Sequence, residues 1–403
     1  MTQDFDIAIV GGGPAGLAAA LSLHRLRPEL SLAVIDAGHA PVDGRASMLA
    51  PSSWRLVENL GLAKALSGKM LDVSDMLISD GVAGEAASPL SLHFSDSDHM
   101  RGGVAQPLGH MVQNADLTDA LRSAVDASGI TQITARVTDS APGTLTLDNG
   151  QTITAGFIAA ADGGRSVLRR RAGIETTGWD YLQSGIVTTI AHELPHEGCA
   201  QQLFLPSGPL ALLPLIGDAE HPHQCSIVWS EDAAAAKAAL ALPVDLFTAE
   251  LARRMGDLYG KIETIAPLQS WPLKMQLAKS YHSDKLALVG DAAHIIHPLA
   301  GQGLNLGLRD AAALAQSVAD GLAVGEILGG PNMLGRYSRW RKSDALQLAA
   351  MTDGLEKLFS NRIAPLRHLR RLGLGAVDRS DTLRSFFMRE AAGETGDVPG
   401  LLV

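Results

Sequence analysis

An α/β fold is what this chain predicts: a Rossmann-like parallel sheet, a sheet-rich second lobe interleaved with it, and a helical C-terminal region. Three observations carry this. A glycine loop, Gly11-Gly12-Gly13-Pro14-Ala15-Gly16, lies between an alternating apolar run and a helix-forming Ala/Leu run. A second apolar run, 157–161, stops at Asp162-Gly163. A third, 285–289, stops at Gly290-Asp291 and opens through a Gly-Gln-Gly turn into a helix over 304–322. Strand, glycine turn and helix start in that order present free backbone N–H groups and the positive end of a helix dipole, which suits an anion.

Composition bounds the rest. The 403 residues are enough for two domains sharing a cleft, and 46% hydrophobic with 19% charged is ordinary globular material. A formal charge of -10 gives no basic face for nucleic acid. Cys199 and Cys225 have no metal-ligand spacing and read as reduced residues of a cytoplasmic protein. The apolar run 7–23 lacks the positive start of a signal peptide and is interrupted by the glycine loop. No other run is long and clean enough to span a membrane.

In chain order, 4–10 reads as a buried strand and 17–26 as a helix. Gly11 permits the tight turn, Gly13 admits a pyrophosphate to the backbone, and Gly16 lets helix and strand pack closely. Pro14 suits the first helical turn. A strand over 30–35 ends at Asp36, twenty residues beyond Gly16, where an acid can accept both ribose hydroxyls of an adenosine. These features predict a dinucleotide and leave FAD and NAD undecided. Arg45 follows in a polar loop, as a surface residue or as a contact to the cofactor or cleft, before a helix over 53–66. Strand-like pieces at 76–78 and 90–94 begin the second lobe, and 109–125 reads as helical after its first residues. Asn149-Gly150 between 144–148 and 151–155 predicts a hairpin with a type I′ turn. Asp162-Gly163-Gly164-Arg165-Ser166 then precedes a helix over 167–172. It is either a capped turn or a place where Asp162 orients a ribose and Arg165 meets phosphate.

From 178 to 272 short strands are expected at 184–190, 202–205, 210–215 and 225–229, with a helix over 243–258. Leu212, Leu213, Leu215, Trp229 and Trp271 are candidates for the floor of a binding chamber. Segments 1–71, 109–177 and 284–335 are assigned to the cofactor domain, 72–108 and 178–283 to the substrate domain, and 336–403 to the C-terminal region. Between 362 and 389 there are seven arginines and two acids among leucines and phenylalanines. Such a segment can lie on an anionic membrane or cap a partner or its own chain. His294 and His297 lack the carboxylates or cysteines of a metal site, so no metal is expected. His297 either shapes the pocket and meets substrate, or makes a structural hydrogen bond.

The three glycine segments together resemble the flavin-dependent aromatic hydroxylases, and the run His297-Pro298-Leu299-Ala300-Gly301-Gln302-Gly303-Leu304-Asn305-Leu306-Gly307-Leu308-Arg309-Asp310 is similar to the ubiquinone-biosynthesis branch of that family. The resemblance spans nearly the whole chain. It implies that FAD is bound by Gly11, Gly13, Ala15, Gly16, Asp36, Arg45, Asp162, Gly163, Gly290, Asp291, Pro298, Gly303, Leu304 and Asn305. Asp36 would hold the adenosine ribose, Asp291 the ribityl chain, and Asn305 with its helix start the negative charge of reduced flavin. The loop 298–304 would lie against the isoalloxazine, which makes His297, Pro298, Gly301 and Gln302 the expected catalytic-site residues. In one departure, Gln113-Asn114-Ala115 stands where the family often carries Glu-Asn-Arg.

The implied reaction is hydroxylation of the ring of a polyprenylated phenol or quinone precursor through a flavin hydroperoxide, with NADH or NADPH as transient reductant and molecular oxygen as co-substrate. The implied setting is the cytoplasm, at the inner face of a bacterial cytoplasmic membrane, with a biosynthetic complex or homo-oligomer as partner. A hydroxylase of small soluble aromatics would keep the cofactor residues but close the apolar path. A prenyl-chain reductase would insert no oxygen. A non-enzymatic assembly subunit would bind FAD without substrate-dependent reoxidation.

Overall fold

The computed structural model describes residues 2–38, 44–81, 91–297, 299–359 and 377–403. Its organising feature is a run of four parallel strands that end level with one another. Thr2–Val10 lies between Leu32–Asp36 and Thr152–Ala160, and Leu286–Leu288 joins the far edge of Thr152–Ala160. The register pairs Val10 with Ile35 and with Ala160, and Ala160 with Leu288. All four are continuous apolar runs toward their C-terminal ends (7–10, 32–35, 157–160 and 286–288), as expected where strands are covered on both faces. Their ladder continues one residue into the loops: Gly11 N donates to Ile35 O at 2.9 Å, Ala161 N to Val10 O at 2.8 Å, and Val289 N to Ala160 O at 2.9 Å. The loops beginning at Gly11, Ala161 and Val289 therefore leave the sheet side by side.

Helices Pro14–Leu26 and Gln302–Ala323 pack against each other and this sheet. The glycines divide by role. A Cβ on Gly11, where φ is +118°, would lie 2.2 Å from Ala161 O, and one on Gly16 would lie 2.0 Å from Gly11 O. A Cβ on Gly13 would meet nothing within 4 Å. Gly11 and Gly16 are required by the fold, whereas Gly13 faces open space.

Among the described residues the second sheet has nine strands, with Gln269–Ala278, Thr176–His192, His223–Asp232, Gly208–Ile216, Cys199–Leu205, Asp75–Asp80 and Leu92–Ser95 in adjacent order. Successive side chains alternate between its faces. Leu210, Leu212, Ile227 and Trp229 pack under helices Ala233–Leu240 and Val244–Met255, while Ala211, Leu213, Val228 and Leu273 face the opposite side. Beyond Pro331–Phe359 and Asp381–Ala391 the chain folds back over the first domain. Arg55 donates to Leu402 O at 2.6 Å, Asn59 to Leu401 O at 2.9 Å and Trp340 to Asp397 O at 2.9 Å.

Several sequence expectations need correction. Gly109–Gln113 is a strand, between Ala46–Leu49 and Met70–Val73, and the helix is Asn114–Ser128. The expected helix over 53–66 is Pro51–Asn59, with Gly61 at φ +75° just beyond it. The hairpin at Asn149-Gly150 forms, but only Gly150 has positive φ. Gly150 N reaches back to Leu147 O at 3.1 Å and Leu147 N to Gln151 O at 2.9 Å, which is a turn closed by a left-handed glycine and not a type I′ pair. Helix Ala233–Leu240 was missed because its run of alanines has no apolar period. Of the tail expected over 362–389, residues 362–376 lie outside the described residues.

Gly16→Ala should lower the unfolding free energy by about 1–3 kcal/mol through overpacking, while Gly13→Ala should leave flavin-free stability within about 0.5 kcal/mol. Urea denaturation of both variants checks this, and equal losses would contradict the division of roles.

Candidate active site

The three adjacent loops form one end of a continuous cavity of about 1120 Å³. Gly13, Ala15, Gly16, Arg45, Gly163, Gly290, Asp291, Gly301, Gly303 and Leu304 all line it, so segments from the beginning, middle and end of the chain share one chamber. The chamber continues between the second sheet and the helices Pro331–Phe359 and Asp381–Ala391, where Phe204, Leu213, Leu355, Phe387 and Met388 make an apolar wall.

At the Gly290 turn the geometry is fixed from beneath. Asp310, fully buried on the long helix, accepts from Gly290 N at 2.9 Å and from Arg341 Nε at 2.7 Å, and pairs with His294 Nε2 at 2.6 Å. His294 and Arg341 hold its carboxyl below the usual carboxylate range, against the upward push of burial. Arg341 is itself fully buried and pairs with Asp344, which also takes Arg309 at 3.0 Å. Between the two anchored ends, Asp291 is exposed only to the chamber. The surrounding protein desolvates its carboxyl and raises its pKa, against the opposing pull of His294, Arg45 and Lys274. Gly307 packs the long helix against the loop, where a Cβ would lie 3.4 Å from Ala15 Cβ and from Gly290 Cα, in ordinary contact.

Asp162 does two things. Its Oδ2 accepts from Val167 N at 2.8 Å and Leu168 N at 3.3 Å, which is the capped-turn reading, while Oδ1 is buried with no partner among the described residues. Arg165 is exposed, and the cation that works in this segment is Arg169, which donates to Ala292 O at 2.6 Å and Gly164 O at 3.0 Å and so ties the second loop to the third. Arg45 lies 5.0 Å above the Trp271 ring, at the junction of the cofactor loops and the second sheet. Asp36 stands beside the glycine turn, 3.8 Å from Arg122.

The catalytic-site expectations distribute unevenly. Gly301, at φ +64°, caps the long helix in a left-handed conformation, and Gln302, its buried first residue, is not in the chamber wall. His297 is buried and faces away from the chamber, edge-on to Tyr181 at 5.0 Å. Neither ring nitrogen has a partner among the described residues, and burial pushes its pKa down to about 4, so it is neutral near neutral pH. Pro298 lies outside the described residues. Asn305 donates to Met48 O at 2.8 Å and accepts from Ala50 N at 2.8 Å, so its amide serves the loop after Arg45 and only the helix start faces the chamber. Leu213 and Trp271 line the chamber, whereas Leu212 and Trp229 face the opposite side of the sheet. No cluster fit for a metal occurs among the described residues.

A dinucleotide fits this arrangement. The turn at Gly13 has room for a ligand at its backbone, the helix behind it offers N–H groups, and Asp162 Oδ1 is a buried acceptor awaiting a donor. Comparison with known proteins identifies it. Residues 4–352 match the FAD binding domain family. The ubiquinone hydroxylase UbiL of Rhodospirillum rubrum is 40% identical, over 96% of this chain and 89% of its own length. This chain belongs to the ubiquinone hydroxylase family of FAD-dependent aromatic hydroxylases. The 3-demethoxyubiquinol 3-hydroxylase of Escherichia coli is 32% identical, over 97% of this chain and 99% of its own. The p-nitrophenol 4-monooxygenase PnpA of Pseudomonas putida shares the fold at a TM-score of 0.78 and 17% identity, over 98% of this chain and 100% of its own. FAD is the cofactor of this hydroxylase, and the enzyme is a monooxygenase.

The C-terminal strap closes the chamber with titratable contacts. Glu394 bonds Arg55 at 2.9 Å and His99 at 3.4 Å, while Arg384 pairs with Asp98. The Glu394 contact raises the His99 pKa, and His99 and Arg55 hold Glu394 below its usual range. The His99 contribution is full below pH 6.5 and lost as pH rises through its raised value; that of Glu394 is present above pH 4.5 and lost as pH falls through its lowered value. Amide protection over 398–402, corrected for intrinsic exchange, should therefore peak between these limits, and His99→Gln should abolish the decline on the alkaline side and reduce, without abolishing, the decline on the acid side, where Arg55 still holds Glu394.

Proposed function

We propose that this hydroxylase inserts one atom of molecular oxygen into the ring of a polyprenylated phenol on the route to ubiquinone, with two electrons from NADH or NADPH and the second oxygen atom leaving as water. One observation favours this substrate class over a small soluble aromatic: the chamber does not end at the cofactor loops but runs on as an apolar channel to the C-terminal helices. Each fully buried CH2 of a prenyl tail contributes roughly 0.8 kcal/mol. The names of the curated relatives support the same reading.

Bound FAD supplies the redox chemistry, taking up the electrons and activating oxygen. The chain's own residues bind, orient and enclose. Gly13 and the helix behind it receive the pyrophosphate, Asp36 the ribose, and Asp291 the ribityl hydroxyls. The helix start at Gly303 and Leu304 directs N–H groups and a positive dipole end to where negative charge develops. Leu213, Val228 and Leu273 form the floor on which the aromatic ring rests, and Phe204, Leu355 and Phe387 exclude water along the tail. Gln202, which pairs with chamber-facing Ala211, is among the few polar residues facing this part of the wall, and it is the candidate to hydrogen-bond the phenol; Gln201 turns to the other face, where it donates to the Tyr259 hydroxyl at 3.2 Å.

Reduction of the protein without air, followed by addition of isotopically labelled oxygen with a prenylated phenol, should give a ring carrying one labelled atom. kcat/KM should exceed that of the unprenylated phenol by about tenfold or more, the equivalent of less than two buried CH2 groups. Equal turnover of both phenols would establish the soluble-aromatic reading, and reduction without oxygen insertion the prenyl reductase.

The enzyme further reaches its substrate at the inner face of the cytoplasmic membrane. No described helix is long and apolar enough to cross a membrane, but helix Asp381–Ala391, which walls the channel, exposes Leu383 and Phe386 beside Arg384 and Arg389. Flotation with anionic liposomes should fall at least fivefold in the double variant Leu383→Ser, Phe386→Ser. Unchanged flotation would assign this face to a protein partner or a second copy of the chain.

A further inference from the structure

Helix Asn114–Ser128 turns a stripe to the chamber, with Asn114, Ala115, Thr118, Asp119 and Arg122 all lining it. These positions recur at the spacing of one helical face. Arg122 follows Ala115 by seven residues, two turns along the same face. Its Nη2 lies 3.4 Å from Gly12 O and 3.8 Å from Asp36 Oδ2. Among the described residues of the chamber wall, Arg45 and Arg122 are the two lysine or arginine side chains, and Arg45 stands at the other end beside Trp271.

We propose that Arg122 is a cofactor-binding residue that holds the adenosine diphosphate half of FAD, bridging the Asp36 carboxylate to the phosphate charge received at the Gly13 turn. Asp36 and the diphosphate are both anionic and must sit near the same short turn. A cation between them removes their repulsion, and the Gly12 carbonyl engages only one of the five N–H donors of the guanidinium. The planar fork suits phosphate oxygens and a carboxylate at once. Ala115, on the first turn, has no charge to offer, and Arg122 supplies it from farther along the same helix. Because the side chain is 39% exposed in the open chamber, it is available to a ligand and not locked in the core. The inference rests on FAD as cofactor and is independent of which phenol is hydroxylated.

FAD and riboflavin share the ring and ribityl chain, and riboflavin lacks the whole adenosine diphosphate half, so titrating the full-length chain with each separates a contact to that half from a general effect on the site. Arg122→Ala should raise the Kd for FAD tenfold or more and leave that for riboflavin within twofold. Arg122→Lys should recover part of the loss, and the salt dependence of FAD binding should be shallower in Arg122→Ala than in the wild type. An unchanged FAD Kd overturns the proposal, and so does an equal loss for both flavins, especially with a lower flavin-free unfolding midpoint, which would confine Arg122 to folding the Gly12 loop. Wild-type FAD binding in the same titration reports on the cofactor independently of Arg122.

Discussion

Everything in this molecule depends on the parallel register that ends Thr2–Val10, Thr152–Ala160 and Leu286–Leu288 at the same level. Parallel strands deliver all their exits to one edge of the sheet, which is why ligands gather at the carboxyl ends of such strands. Here three of those exits carry glycines, and backbone bonds from Gly11, Ala161 and Val289 hold each loop to its neighbour before it turns away. A one-residue slip in either pairing would move the Asp162 or Asp291 loop by about 3.3 Å relative to Gly13, too far for one ligand to keep all its contacts.

The second sheet meets a different requirement. Its strands are buried on both faces by unlike materials: helices on one, an open chamber on the other. Alternation sorts Leu212 from Leu213 and Ile227 from Val228, so two neighbouring apolar residues serve stability and ligand binding respectively. The C-terminal helices complete the enclosure; Arg55 and Asn59 attach the tail to the first domain, and Trp340 ties it to the helix Pro331–Phe359. The apolar channel is thus a product of both domains and the tail.

Local chemistry made much of this legible. The glycine loop, Asp36, Asp162 and the run from Gly290 are short patterns whose physical meaning survives in any context: positive φ, close backbone approach, a helix start. What escaped the sequence reading were residues whose significance is a neighbour. In the sequence Arg169 is one of three consecutive arginines after Leu168, and only its place in the fold links Gly164 O to Ala292 O. His297 looked like a site residue by position in its motif, but its ring is turned toward Tyr181. The strand Gly109–Gln113 gives no strand signal of its own, because Met111 and Val112 are its two apolar side chains and two positions define no period.

By itself the sequence determined the α/β class, the dinucleotide chemistry and, through its similarity to known hydroxylases, the family, because turn geometry and helix polarity are set within a few residues of chain. The tertiary structure alone decided which face each apolar strand residue serves, that Asp310 and Arg341 underpin the Gly290 loop, and that Arg122 stands beside Asp36. Those are contacts between segments remote in the chain, and their distances follow from strand register and helix packing, which no local pattern encodes.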